Sequence, residues 1–325
     1  MLTKDYYNTV LSQAISPCEN YLVAGDIYGS LSIFHLSKIT NPEAALSKED
    51  LTPRYKIQVK NGFNQINSLL TTQSHLLVGI VGEILAYSWK SIKNTNPQPD
   101  WTIDLPNQKD TFESADVNVI KLYAEKNHIF VGCGDNNIYV YDLNYGKLLK
   151  TLTNHIDYIH CISNIGSDFI SGAEDGVVNI WDTKTYKVAH SIEPHKNDKV
   201  ARPELGKWIG SVSANEDYVL CGGGPRLSLW HYRFLSNSTV FPIDDRGIHV
   251  ADIHKEKILA GGRSKLFIQM SFGGEIVAEI PVSSVTIYSA VYQEEPSKIL
   301  CLAGSSPKID LCSNFMYKNQ QLSMY

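Results

Sequence analysis

An all-β fold, a seven-bladed β-propeller, follows from three observations on this chain. A hairpin of one shape recurs seven times, a further strand-like segment precedes each copy, and no stretch carries a convincing long helical period.

The least degenerate hairpin is 169–183, Phe-Ile-Ser-Gly-Ala-Glu-Asp-Gly-Val-Val-Asn-Ile-Trp-Asp-Thr. Two short apolar runs rich in β-branched and aromatic residues flank an Asp-Gly turn, and the second run closes on Trp181-Asp182. The turn signals a hairpin, and the Trp-Asp ending is the signature of a WD40 blade. In chain order the copies are Tyr21–Leu36, Leu76–Trp89, Ile129–Leu143, 169–183, Tyr218–Tyr232, Lys257–Ser271 and Lys298–Ser313. The position of Trp181 is taken in turn by Phe34, Tyr87, Tyr141, Trp181, Trp230, Gln269 and Cys312, at spacings of 53, 54, 40, 49, 39 and 43 residues. A blade needs about 40–45 residues, so the excess falls in loops, mainly in the first two intervals.

The segments that precede the hairpins are Val10–Ser16, Gln65–Thr71, Asn118–Ala124, Tyr158–Ile165, Trp208–Ala214, Ile248–His254 and Thr286–Tyr292. Several alternate apolar with polar residues, as half-buried strands do. A fourth strand is clearest at Tyr186–Ile192. These elements predict one domain over 1–325 with long insertions at about 37–56 and 90–116. A short helix is expected over Pro42–Asp50, and the last blade is expected to close with the C-terminal segment Ser313–Tyr325.

The 325 residues are 43% hydrophobic and 19% charged, and no apolar run reaches the length of a membrane helix. The first residues, Met-Leu-Thr-Lys-Asp-Tyr-Tyr, lack a hydrophobic signal core, which sets the expectation outside the secretory pathway. The six cysteines form no Cys-x-x-Cys pair and read as free thiols. A net charge of −5 is not that of a chain that grips nucleic acid by itself.

Blade four brings together His155, Ser171, Asp175 and Trp181. The Asp carboxylate can accept from the His ring, the His can bond the Ser, and the Ser can accept from the indole N–H. These are the letters of a catalytic triad at the spacing of a blade, with the Ser inside a strand, so the set reads as a structural tetrad. No phosphate loop, zinc-protease helix or nucleophile elbow is present, and Gly222-Gly-Gly-Pro225 runs into a strand rather than a helix. No catalytic residue, metal site or cofactor is expected. The connection 193–207 is polar and basic. Lys196, Lys199, Arg202, Pro203 and Trp208 are candidate partner-binding residues, because Arg, Pro and Trp at a loop–strand boundary are interface types. Packing within the fold explains Trp208 equally well.

Several stretches are more specific than a generic propeller. They are Asp157-Tyr-Ile-His-Cys161, Ser171–Asp182, Arg202-Pro-Glu-Leu-Gly-Lys-Trp-Ile-Gly210, Cys221-Gly-Gly-Gly-Pro-Arg-Leu-Ser-Leu-Trp-His231 and Phe241-Pro-Ile243, preceded by Ile15-Ser-Pro-Cys18 and Ala24–Phe34. In order and spacing they resemble the THO complex subunit 6 family of WD-repeat proteins, most closely over 155–245 and least over 37–120. The sequence departs from the family motif at Asn154, where a Gly usually precedes the blade-four His; Asn tolerates the left-handed backbone. The resemblance implies a non-catalytic scaffold of the THO/TREX complex, which couples transcription and mRNA processing to nuclear mRNA export. It implies a nuclear location, binding to other THO/TREX subunits, RNA contact only through the complex, and self-association in the assembly. The alternative is a WD40 substrate receptor of a cullin-type ubiquitin ligase, since Trp181-Asp182-Thr-Lys184 is similar to a degenerate docking box. A propeller enzyme lacks any convergent acid–base or metal set.

Overall fold

The computed structural model describes residues 4–41, 43–60, 64–94, 96–106, 114–243 and 247–325. Among them, strands form seven four-stranded sheets, each in chain order from inner to outer strand. They fall into two compact units, one of 1–117 with 280–325 and one of 118–279.

The first unit holds three blades. Blade one is Val10–Ile15, Tyr21–Asp26, Ser30–His35 and Tyr55–Gln58; blade two is Ser68–Thr71, His75–Ile80, Glu83–Ser88 and Trp101–Asp104. Blade seven is Ile287–Gln293, Ile299–Gly304, Lys308–Ser313 and Tyr317–Ser323. Its outer strand therefore comes from the C-terminal segment, which pairs antiparallel with Lys308–Ser313. The core of this unit packs Val10, Leu22, Phe34, Ile309, Leu311 and Leu322 in one cluster and Val23, Leu31, Ile66, Leu76 and Tyr87 in another.

The second unit holds four. Blade three is Val117–Tyr123, His128–Cys133, Ile138–Asp142 and Lys147–Leu152; blade four is Ile159–Ile165, Asp168–Ala173, Val178–Asp182 and Lys187–Ile192. Blade five is Ile209–Ala214, Tyr218–Gly223, Ser228–His231 and Asn237–Val240; blade six is Ile248–His254, Lys257–Gly262, Leu266–Ser271 and Ile276–Pro281. Phe130 and Phe169 stack at 4.1 Å, and Phe169 lies parallel to Trp181 at 5.6 Å, so blades three and four share an aromatic core. Burial of each such ring contributes about 1.5–3 kcal/mol.

Side chains clip neighbouring inner strands together. In the second unit Asn118 Nδ2 donates to Ile159 O, Asn164 Nδ2 to Leu122 O and Ser211 Oγ to Ala251 O, at 2.9–3.1 Å. The inner strands of blades four, five and six each shift register near their start, skipping His160, Gly210 and His249. A bulge of this kind re-aims the side chain that it leaves unpaired.

Sequence and structure differ in two places. The first insertion runs into the outer strand of its blade, Tyr55–Gln58, and the second contains the outer strand Trp101–Asp104. The expected helix over Pro42–Asp50 is reduced to a 3-10 turn at Glu49–Leu51, after a short helix at Leu36–Ile39. Asp50 is held instead by Lys38 and by the amide and hydroxyl of Ser47, which favours a turn over a continuous helix. Pro42 and, in the second insertion, residues 95 and 107–113 lie outside the described residues.

Candidate functional site

Blade four brings its four polar residues into one chain of bonds. His155 Nδ1 lies 2.8 Å from Asp175 Oδ2, His155 Nε2 lies 2.8 Å from Ser171 Oγ, and the Trp181 indole N–H donates to Ser171 Oγ at 2.8 Å. Ser171 accepts from the indole, so its own proton can go to His155 Nε2. The imidazole then carries its proton on Nδ1 and donates to Asp175. Asp175 also accepts from the backbone N–H groups of Ile156 and Val177. Burial pushes its carboxyl up, but the bonds from His155 and those two amides outweigh this and hold it below the ordinary range. Asn179, which the sequence reading did not single out, reaches His155 Nε2 at 3.1 Å and accepts from Ser191 at 2.7 Å. Ser171 is fully buried, which leaves a substrate no approach to it.

A reduced version sits in blade one. Buried Asp26 accepts from Asn8 Nδ2 at 2.8 Å and from the amides of Tyr28 and Ser30. Asn at 8 carries no motif signal, so only proximity in the fold reveals the pair.

The candidate partner-binding residues separate. Arg202 is corrected: it is 6% exposed, and its guanidinium donates to the carbonyls of Gly224 at 2.9 Å, Pro225 at 3.1 Å and Gly223 at 3.4 Å. The Gly-rich turn leaves a cluster of carbonyls that only a forked donor can serve together, so Arg202 is an interior support and not a contact for partners. Pro203, Lys196 and Lys199 are exposed, with Lys196 paired to Glu193 at 2.5 Å.

Trp208 is half-buried and fitted into blades four to six. Its indole N–H donates to Leu205 O at 2.9 Å, its ring stacks on His249 at 5.0 Å, and His160 meets it edge-on at 6.5 Å. A Cβ at Gly210 would stand 2.5 Å from the indole and one at Gly247 3.0 Å, so these glycines make room for the ring. His160 in turn bonds Glu174 at 2.8 Å. Burial, with the nearby His160, pushes His249 down to about 4.

Beside this cluster two side chains that follow buried His155 stand open to solvent, Ile156 at 79% and Tyr158 at 54%. Tyr158 falls in a stretch that the sequence reading quoted for the family resemblance, but Ile156 was passed over, since an exposed Ile in a polar loop has no pattern of its own.

The WD40 family model, the WD domain or G-beta repeat, matches residues 146–182. That span takes in the outer strand of blade three and the first three strands of blade four. Among curated proteins, THO complex subunit 6 of Drosophila melanogaster is 35% identical over 99% of this chain and 91% of its own length. The THO complex subunit 6 homolog of Danio rerio is 36% identical over 97% of both chains, and the Arabidopsis thaliana THO complex subunit 6 is 26% identical over 62% of this chain and 53% of its own. Among solved structures, the WD40 β-propeller domain of Doa1 superposes with a TM-score of 0.70 at 12% identity, covering 92% of this chain and 91% of that one. The fold is thus the seven-bladed β-propeller that the sequence predicts.

Proposed function

The chain belongs to the THO complex subunit 6 family, and from that premise we propose that it is a non-catalytic scaffold of the THO/TREX complex in nuclear mRNA export. The observation that carries this reading is an identity of 35% over an alignment that spans 99% of the chain. Membership of a multi-protein complex follows from the family. Its partners are other THO/TREX subunits, its location is the nucleus, and RNA reaches it through the complex. The net charge of −5 supports the last point.

The tetrad of blade four supports the fold in this reading. The ubiquitin-ligase alternative is not favoured: the relatives that span the whole chain are THO subunits, and the Asp182 carboxylate of its docking box is taken by Thr185 and the Lys184 amide. The chain is taken to fold as one domain over 1–325, for which a single calorimetric transition is the expected behaviour.

A tagged pull-down from RNase-treated nuclear extract tests the scaffold reading. Other THO subunits are expected at near-stoichiometric yield. Recovery of a cullin and its adaptor without any THO subunit would overturn it.

A further inference from the structure

Single exposed apolar side chains are ordinary on protein surfaces. Ile156 differs in how firmly it is held. Its backbone N–H donates to Asp175 Oδ2 at 3.1 Å, and its carbonyl accepts from Asn136 Nδ2 of blade three at 3.2 Å. Two residues on, the Tyr158 N–H donates to Asp157 Oδ1 at 2.9 Å, and the Tyr158 carbonyl accepts from the Glu174 N–H at 2.8 Å. Both backbone groups of both residues are therefore fixed, while their side chains stay 79% and 54% exposed. A side chain carried on a backbone that is fixed before binding leaves only its own rotamers to be ordered on contact, which favours it as an anchor. The loop's fixing acceptor, Asp175, belongs to the buried bond chain of blade four, so the rigidity of the fold is passed directly to the surface.

The surroundings restrict the partner. Asp157 lies between the two apolar residues and accepts the Tyr158 N–H, and Glu174 is tied to the Tyr158 carbonyl by its backbone N–H. Glu174 keeps 42% of its side chain exposed despite its bond to His160. An apolar knob set among carboxylates repels phosphate and favours cations.

We propose that Ile156 and Tyr158 form a preformed docking knob for a basic protein segment that carries an apolar anchor. The proposal rests on the scaffold reading and names the chemistry of one partner.

The test uses the full-length chain in its complex, with benzoylphenylalanine in place of Ile156 and, as a control, in place of exposed Lys184. After irradiation in cells the complex is purified and the crosslinked segment sequenced. A crosslink from position 156, absent from 184, to a protein segment with net positive charge and an apolar residue is expected. Its yield should fall at least five-fold when Glu174→Lys is added. A crosslink to RNA, a crosslink to an acidic segment, no crosslink, or a yield indifferent to Glu174→Lys overturns the proposal. Recovery of THO subunits in the same preparation scores the scaffold reading separately: subunits without the crosslink sink the docking knob alone.

Discussion

In blade four the turn between the second and third strands carries a carboxylate, Asp175, and the segment entering the inner strand carries the donor, His155. In blade five the turn Gly222-Gly-Gly-Pro225 carries carbonyls, and the entering segment carries Arg202. Both blades close on a Trp, but Trp181 donates to Ser171 of its second strand, whereas Trp230 donates to Ser228 of its own third strand. The two blades tie the same two segments together with different chemistry. A blade needs its hairpin turn bound to the chain that enters it; it does not need a particular pair of residues. The repeat can therefore lose its signature letters and keep its fold, and the match to the family model of the repeat, 146–182, falls on the blade that keeps most of them.

Four measurements would break or sharpen this comparison. The largest effect is expected for Arg202→Ala, which takes the guanidinium from three carbonyls of a buried turn, of which Pro225 O keeps a further donor in the Gly223 N–H, and should cost about 3 kcal/mol in urea unfolding. Arg202→Lys should recover part of it, since an ammonium cannot fork. A loss below about 1 kcal/mol would mean that the blade-five turn stands without its guanidinium. Asp175→Ala should come next, at about 2 kcal/mol, because His155 and two amides lose their acceptor. Unchanged stability there would dissolve the parallel with Arg202. Ser171→Ala and Ser228→Ala should each cost about 1 kcal/mol, since each strands one indole N–H. A marked inequality would show that the two Trp anchors are not equivalent.

The smallest effect at neutral pH belongs to His249, under Trp208. Its folded value, about 4, lies below the unfolded value of about 6.5. The unfolded chain thus takes up the proton first on acidification. The stability contributed by the neutral ring is complete above the unfolded value and is lost as pH falls from there through about 4. The melting temperature of the unaltered chain should accordingly fall more steeply from pH 7 to pH 4 than that of His249→Phe. Parallel curves would remove His249 from the account.

The strands and hairpins near the core were legible in the sequence because burial on one or both faces forces apolar periodicity. Most outer strands were not, those of blade four and of the C-terminal segment apart. Lys147–Leu152 has five of its six residues exposed, so nothing in its pattern distinguishes it from a loop. The blade-four bond chain was legible except for Asn179, an ordinary strand residue until it meets His155. Arg202 was legible as important and illegible in role: an Arg beside a Pro suits a surface or a buried fork equally, and the carbonyls that decide the matter are 21–23 residues away.

By itself the sequence determined the number of blades, the order of their hairpins and the family resemblance. All of these are written in local period and spacing, which each segment carries without reference to its neighbours. Tertiary structure alone decided which polar residues are partnered inside and which face solvent. Arg202 went inward to the turn of blade five, Asn8 found Asp26, and Ile156 was left outside on a fixed backbone. Satisfying a buried polar group is a matter of three-dimensional proximity, and proximity between blades has no period along the chain.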